Sequence, residues 1–293
     1  MIKNRPIQTY SSDYLPEDNI IIGDALHVLK NFNANTFRCC ITSPPYWGLR
    51  DYGIPNQIGA ETKPEDYVKN LKNVFREVRR VLKDDGTLWL NIGDSYTSGN
   101  RAWRDPDKKN PARGMSYRPP TPEGLKPKDL VGVPWRVAFT LQMDGWYLRS
   151  DIIWSKPNCQ PESVKDRPTR AHEYIFLFSK SEKYYYDYKA IMEPTNSHGT
   201  LRNRRTVWKI NTEPFSGVHF ATFPPKLVEP CILAGTKPSD LVLDPFFGSG
   251  TVGEVCLELN RKFVGIELKK EYAELAKNRL GRSNLSEYIF RAG

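Results

Sequence analysis

Near the C-terminus an apolar run, Leu241-Val242-Leu243, leads without a break into Asp244-Pro245-Phe246-Phe247-Gly248-Ser249-Gly250-Thr251. This junction restricts the possible folds more than any other segment. Gly248, Gly250 and Gly253 fit G-x-G-x-x-G, and Glu267 closes the next apolar run, Lys262 to Ile266. Strand, tight turn, helix and second strand make a nucleotide-binding βαβ unit. Its glycines admit the turn and a close ligand approach, and the distal carboxylate takes ribose hydroxyls. Such a unit needs a parallel sheet around it, and the chain supplies one.

Upstream, short apolar runs alternate with helical patterns, the signature of α/β architecture. Asn19 to Ile22 reads as a strand before a short helix from Ala25 to Asn31, and Phe37 to Thr42 reads as the next strand. Thr62 and Glu65 have capping-box spacing and open a helix with Val68, Leu71, Val74, Phe75, Val78, Val81 and Leu82 on one stripe. Asp85-Gly86 ends it, and Thr87 to Ile92 follows as a buried strand. Tyr147–Trp154, Glu173–Phe178, Leu241–Asp244 and Lys262–Ile266 are further strands, and the last helix runs from Lys270 to Leu280. The expected fold is one α/β domain over 1–293 with a single doubly wound, mostly parallel sheet. Two segments break the rhythm. Residues 95–129 are rich in Pro, Gly, Arg and Lys and read as a mobile basic loop, and residues 187–218 form a basic, polar insert.

The glycine unit alone leaves two ligands open. A dinucleotide brings a pyrophosphate, which a carboxylate at the strand tip repels, and Asp244 stands there. S-adenosylmethionine has no phosphate and carries an ammonium and a sulfonium, for which that carboxylate is favourable. The loop is no P-loop, because no Gly-Lys-Ser/Thr follows.

The second constellation is Thr42-Ser43-Pro44-Pro45-Tyr46-Trp47, directly after the strand Phe37–Thr42. Two prolines stiffen a turn at the carboxyl end of a strand, where open α/β sheets bind ligands. Ser43 and the Pro44 carbonyl are acceptors, and Tyr46 is a stacking face. An aryl amine such as cytosine N4 is a weak nucleophile because its lone pair delocalises into the ring. Two acceptors on its hydrogens favour the pyramidal, more nucleophilic nitrogen. The alternative is a structural proline turn with a buried aromatic.

Taken together, the motifs carry a family likeness. Ser43-Pro44-Pro45-Tyr46 resembles the catalytic motif of DNA amino-methyltransferases in its N4-cytosine form, and Asp244 to Thr251 resembles their donor loop. The catalytic motif precedes the donor loop, the circularly permuted order of the β group. Gly23-Asp24-Ala25 is similar to the segment that contacts the donor's adenine. Residues 82–91 and the runs Lys156-Pro157-Asn158, Asp166-Arg167 and His172-Glu173-Tyr174 resemble later core motifs. His219 to Pro225, with Thr222 and Phe223, resembles the element beside the methionine moiety. The likeness implies a Rossmann-like sheet of seven strands with a reversed hairpin. It implies S-adenosylmethionine as cofactor, held by Asp24, Ala25, Thr222, Phe223, Asp244, Pro245, Phe246, Gly248, Ser249, Gly250, Thr251 and Glu267. It implies Ser43, Pro44, Pro45 and Tyr46 as catalytic residues. The substrate would be double-stranded DNA with a flipped-out cytosine, and the partner a companion restriction endonuclease, with the chain acting as monomer or homodimer. Residues 187–218 would then be a small target-recognition insert.

Charge agrees with such a substrate. Lys and Arg outnumber Asp and Glu by 43 to 34, giving +9, which favours polyanions. Trp47, Arg202, Arg204 and Arg205 are the candidate DNA contacts, and Arg101, Arg104, Lys108, Lys109, Arg113 and Arg118 in the basic loop could order on DNA. Pro230-Cys231 resembles the nucleophilic pair of C5-cytosine enzymes, yet Cys231 lies in an apolar helical stretch and reads as core; His172 and His198 have no partner at ligand spacing. The five cysteines form no metal motif, and no apolar stretch suits a membrane span, so a reducing cytoplasm is expected. Adenine N6 is the nearest rival target. Methylation of RNA or a protein amide, and a catalytically silent DNA-binding regulator, are the more distant readings.

Overall fold

A computed structural model describes residues 18–49, 51–54, 57–98, 119–195, 199–213, 223–281 and 287–289. In chain order the elements are β1 (Asn19–Ile22), α1 (Ala25–Leu29), β2 (Phe37–Thr42), α2 (Pro64–Val81), β3 (Leu82–Ile92), α3 (Val133–Met143), β4 (Tyr147–Ser155), β5 (His172–Ser179), β6 (Glu193–Pro194), β7 (Leu201–Arg202) and β8 (Val207–Lys209). They continue with α4 (Pro225–Gly235), β9 (Leu241–Asp244), α5 (Thr251–Glu258), β10 (Lys262–Glu267), α6 (Lys270–Arg279) and β11 (Glu287–Ile289).

The main sheet has nine strands in the order β11-β1-β10-β9-β2-β3-β5-β4-β8. Only β5 runs against its neighbours, pairing antiparallel with both β3 and β4. The expected count of seven strands is therefore too low. The extra strands are β8 and β11, three residues each at the two sheet edges, too short to leave a periodic signal. β8 draws part of the 187–218 insert into the main sheet, because Ile153, Trp154 and Ser155 of β4 pair with Val207, Trp208 and Lys209.

Helices cover both faces, which is why the central strands are apolar on both sides. Cys40, Leu88, Leu90, Phe176 and Phe178 face α1, α2 and α3, whereas Cys39, Ile41, Trp89, Ile175 and Val242 face α4, α5 and α6. The α2 stripe buries Tyr67, Val68, Leu71, Val74, Phe75, Val78 and Val81. At about 1.5–3 kcal/mol for each fully buried large apolar side chain, this helix is a major contributor to the core. It starts at Pro64 with Lys63 as a cap that makes no side-chain bond, so the capping box expected from Thr62 and Glu65 does not form. The proline at the first helical position supplies the fixed φ that starts the helix instead. The chain then passes from Val81 straight into β3. Helix α3 has no clear stripe in the sequence and is held from outside: the Asp94 carboxylate accepts from Gly132 N at 2.9 Å and Val133 N at 2.9 Å, taking up its first amides. Of the basic loop, residues 99–118 lie outside the described residues; its ends are joined by Thr97 N to Asp129 O and Val131 N to Ser95 O, each 2.9 Å. Among the described residues, no helix is long and apolar enough to cross a membrane.

Of the fingerprint glycines, Gly248 and Gly250 have φ of +54° and +83° and make the turn. Gly253 has a different role: a Cβ there would lie 2.8 Å from the Phe247 ring and 3.1 Å from Phe263. The Phe247 ring also packs on β10 at Gly265, where a Cβ would come within 2.3 Å of it. Gly265→Ala should therefore lower stability by about 1–3 kcal/mol through overpacking. A denaturant midpoint unchanged from the native protein would contradict this packing.

Candidate active site

Parallel pairing of β2 with β9 places Cys39 beside Val242 and Cys40 beside Leu243. The carboxyl ends of the two strands are thus neighbours, and the two sequence motifs that leave them meet. Thr42 Oγ1 donates to Asp244 Oδ1 at 2.6 Å, across 202 positions of sequence. Phe246 N donates to the same oxygen at 3.1 Å. Asp244 is only 2 % exposed. Burial pushes its carboxyl up to about 7, against the two hydrogen bonds that lower it, and Glu267 adds to the rise.

Glu267 ends β10, the next strand along. Its carboxylate accepts from Gly248 N and Lys269 N, each at 2.8 Å, and burial raises its pKa as well. Gly23 N donates to the Glu267 carbonyl at 2.9 Å, bringing the start of α1 alongside. There Asp24 caps the helix by accepting from His27 N at 3.0 Å, and Ala25 is buried. Two buried acidic groups at adjacent strand tips form a crevice that favours a cation and disfavours a phosphate. The residues present therefore suit an ammonium-bearing nucleotide. Ser249 and Thr251 are buried, and their hydroxyls lie 3.1 and 3.0 Å from an Arg279 nitrogen that donates to them. Their side chains staple the glycine turn to α6. Pro245 and Phe246 continue the turn toward that crevice. Phe223 lines a small pocket between β2, β3 and α4 with Thr42, Asn91 and Cys231. Thr222 lies outside the described residues.

On the β2 side, the proline turn is held from several directions. Tyr67 of α2 donates to the Pro45 carbonyl at 2.9 Å, and Gly48 N to the Gly59 carbonyl at 2.8 Å. Pro44 is buried, and Ser43 is half-buried at the mouth. Ser43 Oγ lies 3.3 Å from the Tyr46 hydroxyl, which reaches Glu173 Oε2 at 2.7 Å and Asn91 Oδ1 at 3.2 Å. Burial and the neighbouring Glu173 carboxylate push the Tyr46 phenol well above its usual range, so it keeps its proton. Glu173 in turn pairs with Lys156. Neither Glu173 nor Lys156 stood out in the sequence as a site residue; the only trace was their place within family-like motifs.

The candidate DNA contacts divide. Trp47 requires correction: it is 4 % exposed, belongs to the core, and donates from Nε1 to the Glu61 carbonyl at 2.8 Å. The turn that follows at Gly48, with φ of +63°, sends its indole inward. Arg202 is paired with Glu193 at 2.8 Å, and the Arg204 guanidinium lies 4.7 Å over the Trp208 ring. Arg205 is exposed, as is Lys209, which the β8 register places level with Ser155 at the carboxyl end of β4. Cys231 is 2 % exposed with its thiol pKa raised well above the ordinary value by burial, which fits a core residue and not a nucleophile.

Because the Asp244 carboxyl sits near 7 in the fold, above its unfolded value, its protonated form stabilises the donor-free protein. That contribution is complete at low pH and is lost as pH rises from about 4 to about 7. Compared with Asp244→Asn at matched pH, the native protein should lose on the order of a few kcal/mol of unfolding free energy between pH 4 and 8. Parallel stability–pH curves for the two proteins would refute the burial argument.

Known proteins share this arrangement. A family model described as DNA methylase, covering N6 and N4 methyltransferases, matches residues 37–278. The Type II methyltransferase M.SmaI of Serratia marcescens is 66% identical over 264 residues, covering 90% of each chain. M.Cfr9I of Citrobacter freundii is 66% identical over 258 residues, covering 88% of this chain and 86% of its own. Among solved structures, the PvuII DNA methyltransferase (cytosine-N4-specific) superposes with a TM-score of 0.67 at 24% identity, over 91% of this chain and 87% of its own. A DNA modification methylase of Thermus thermophilus, solved with S-adenosyl-L-methionine, gives 0.64 at 24% identity, over 94% and 98%. The chain belongs to the DNA methylase family of N6 and N4 amino-methyltransferases.

Proposed function

We propose that this chain transfers a methyl group from S-adenosylmethionine to N4 of a flipped-out cytosine in double-stranded DNA. The observation that carries the reading is the Thr42–Asp244 bond, which sets Ser43-Pro44-Pro45-Tyr46 beside the acidic crevice. The cytosine-N4 specificity of the PvuII enzyme supports the choice of base, and the Type II relatives support a restriction–modification role with a companion endonuclease. When bound, S-adenosylmethionine supplies an electrophilic methyl on a sulfonium.

The chain's own residues do the rest. Asp244 faces the donor's ammonium, Glu267 its ribose hydroxyls, and Asp24 with Ala25 its adenine. Pro245, Phe246, Gly248 and Gly250 shape the turn, and Phe223 covers the methionine end with Thr222. The target amine is inaccessible within the stacked duplex, so the base must leave it. Tyr46 then stacks on the ring, a contact worth about 1–3 kcal/mol. Ser43 Oγ and the Pro44 carbonyl accept the two amine hydrogens, turning the nitrogen lone pair out of conjugation. The Pro45 carbonyl is already taken by Tyr67. N4 chemistry leaves no ring-carbon proton to remove, so no cysteine nucleophile is required. Arg205 and Lys209 reach DNA phosphates from the exposed sheet edge, and Arg202 and Arg204 shape that face while holding Glu193 and Trp208.

Three measurements test this. Donor binding should favour the Asp244 carboxylate and release protons, so affinity rises with pH up to about 7 and then levels off. Asp244→Ala should weaken it by about 1–3 kcal/mol, and calorimetric titration that finds Asp244→Ala and Glu267→Ala both unaltered would sink the donor assignment. Replacing Arg205 and Lys209 by alanine should reduce the slope of log K against log salt by about 0.9 for each phosphate no longer neutralised; an unchanged slope removes them from the DNA surface. Nucleoside mass spectrometry of DNA from an expressing host should find N4-methylcytosine. N6-methyladenine in its place would move the target to adenine and leave the family standing.

A further inference from the structure

A partly buried ion pair stands directly behind the catalytic turn. Lys156 and Glu173 have side-chain exposures of 16% and 18%, and Lys156 Nζ also lies 4.1 Å over the Trp154 ring. A pair in such a place stabilises a fold little, because desolvation offsets most of its attraction. The local architecture nevertheless makes room for it. A Cβ at Gly93 would fall 2.6 Å from Tyr46 Cε2 and 3.4 Å from Glu173 Cδ, so the bare backbone at the end of β3 is what lets the phenol reach the carboxylate. Asn91 Nδ2 donates to the same oxygen, Oε2, at 3.2 Å and to the Tyr174 carbonyl at 3.1 Å.

Donor and acceptor identities give this cluster a direction. An ionised carboxylate only accepts, and Lys156 only donates. Tyr46 has a single hydroxyl hydrogen, and its shortest contact is the 2.7 Å one to Glu173 Oε2, so that hydrogen is committed there. The Tyr46 oxygen is then an acceptor toward Ser43, 3.3 Å away, and the Ser43 hydrogen points at Tyr46. The lone pairs of Ser43 Oγ are left facing the mouth. Resting on the reading of Ser43 as an acceptor for the target amine, we infer that Glu173, anchored by Lys156, is a positioning residue that fixes the polarity of the Tyr46–Ser43 chain. Ser43 thereby meets the amine as an acceptor and never as a donor.

Glu173→Gln tests this with little change of shape. Lys156 will turn the glutamine carbonyl toward itself, which puts an NH2 donor where Tyr46 needs an acceptor. With unmodified genomic DNA from a host lacking this gene, and labelled S-adenosylmethionine at saturation, Glu173→Gln should slow single-turnover methyl transfer about 10-fold or more. Calorimetric affinity for S-adenosylmethionine should stay within about twofold, which also verifies that the variant is folded. In a Ser43→Ala background the same change should have no further effect on rate, and likewise in Tyr46→Phe, because residues acting as one unit are not additive. Glu173→Gln at native speed, or an equal slowing in the Ser43→Ala background, overturns the positioning role. If Ser43→Ala transfers at the native rate, the acceptor reading fails and the positioning role with it. If the native protein adds no methyl group to DNA, the proposed function itself fails, a result separate from all of these.

Discussion

The parallel contact between β2 and β9 is the constraint on which the site depends. Each strand alone ends in a motif that has no partner: a proline turn on one, a glycine turn on the other. Pairing brings Thr42 within 2.6 Å of Asp244, so the group that would bind the donor and the turn that would bind the base share one hydrogen bond. That bond spans the centre of a nine-stranded sheet, buried under helices on both faces, where displacement costs packing over many residues. A reaction that needs two ligands aligned closely gains from such a frame, since most of the ordering is complete before either ligand arrives.

Asp244 also shows what the arrangement costs. A carboxyl raised to about 7 by burial is unfavourable as an anion in the empty fold, and two hydrogen bonds compensate only in part. A ligand cation completes the compensation, which makes the site selective by charge before any shape is considered. The adjacent Glu267 acts in the same sense. On the other side of Thr42 the catalytic turn is rigid for a different reason. Two prolines remove φ freedom, Tyr67 holds the Pro45 carbonyl, and Gly93 admits the Tyr46 ring. The donor side discriminates by charge and the base side by hydrogen-bond direction.

The surface divides its cations between structure and availability. With a net charge of +9, long-range attraction for a polyanion follows from composition alone. Individual positions are another matter. Arg202 pairs with Glu193, Arg204 covers Trp208, Arg167 lies 4.0 Å over the Tyr96 ring, and Arg279 staples the glycine turn. Arginine is suited to such work because its planar fork stacks and hydrogen-bonds together. A count of basic residues in a segment therefore overstates how many can reach a phosphate.

Sequence by itself determined the strands that carry the chemistry, the α2 stripe, the glycine turn with its two acids, and the Ser-Pro-Pro-Tyr turn. These are local facts, fixed by side-chain periodicity, proline and glycine geometry, and the chemistry of single residues. Tertiary structure decided what depends on distant neighbours. It turned Trp47 into core, assigned Ser249 and Thr251 to Arg279, and gave Gly253 to the Phe247 ring. It added β8 and β11, whose three residues gain strand geometry only from a neighbour's hydrogen bonds. It brought Glu173 and Lys156 behind Tyr46 from β5 and the end of β4, elements far away in sequence. No spacing rule connects such residues, because the register of a sheet is set by the packing of both its faces and not by the run of any one strand.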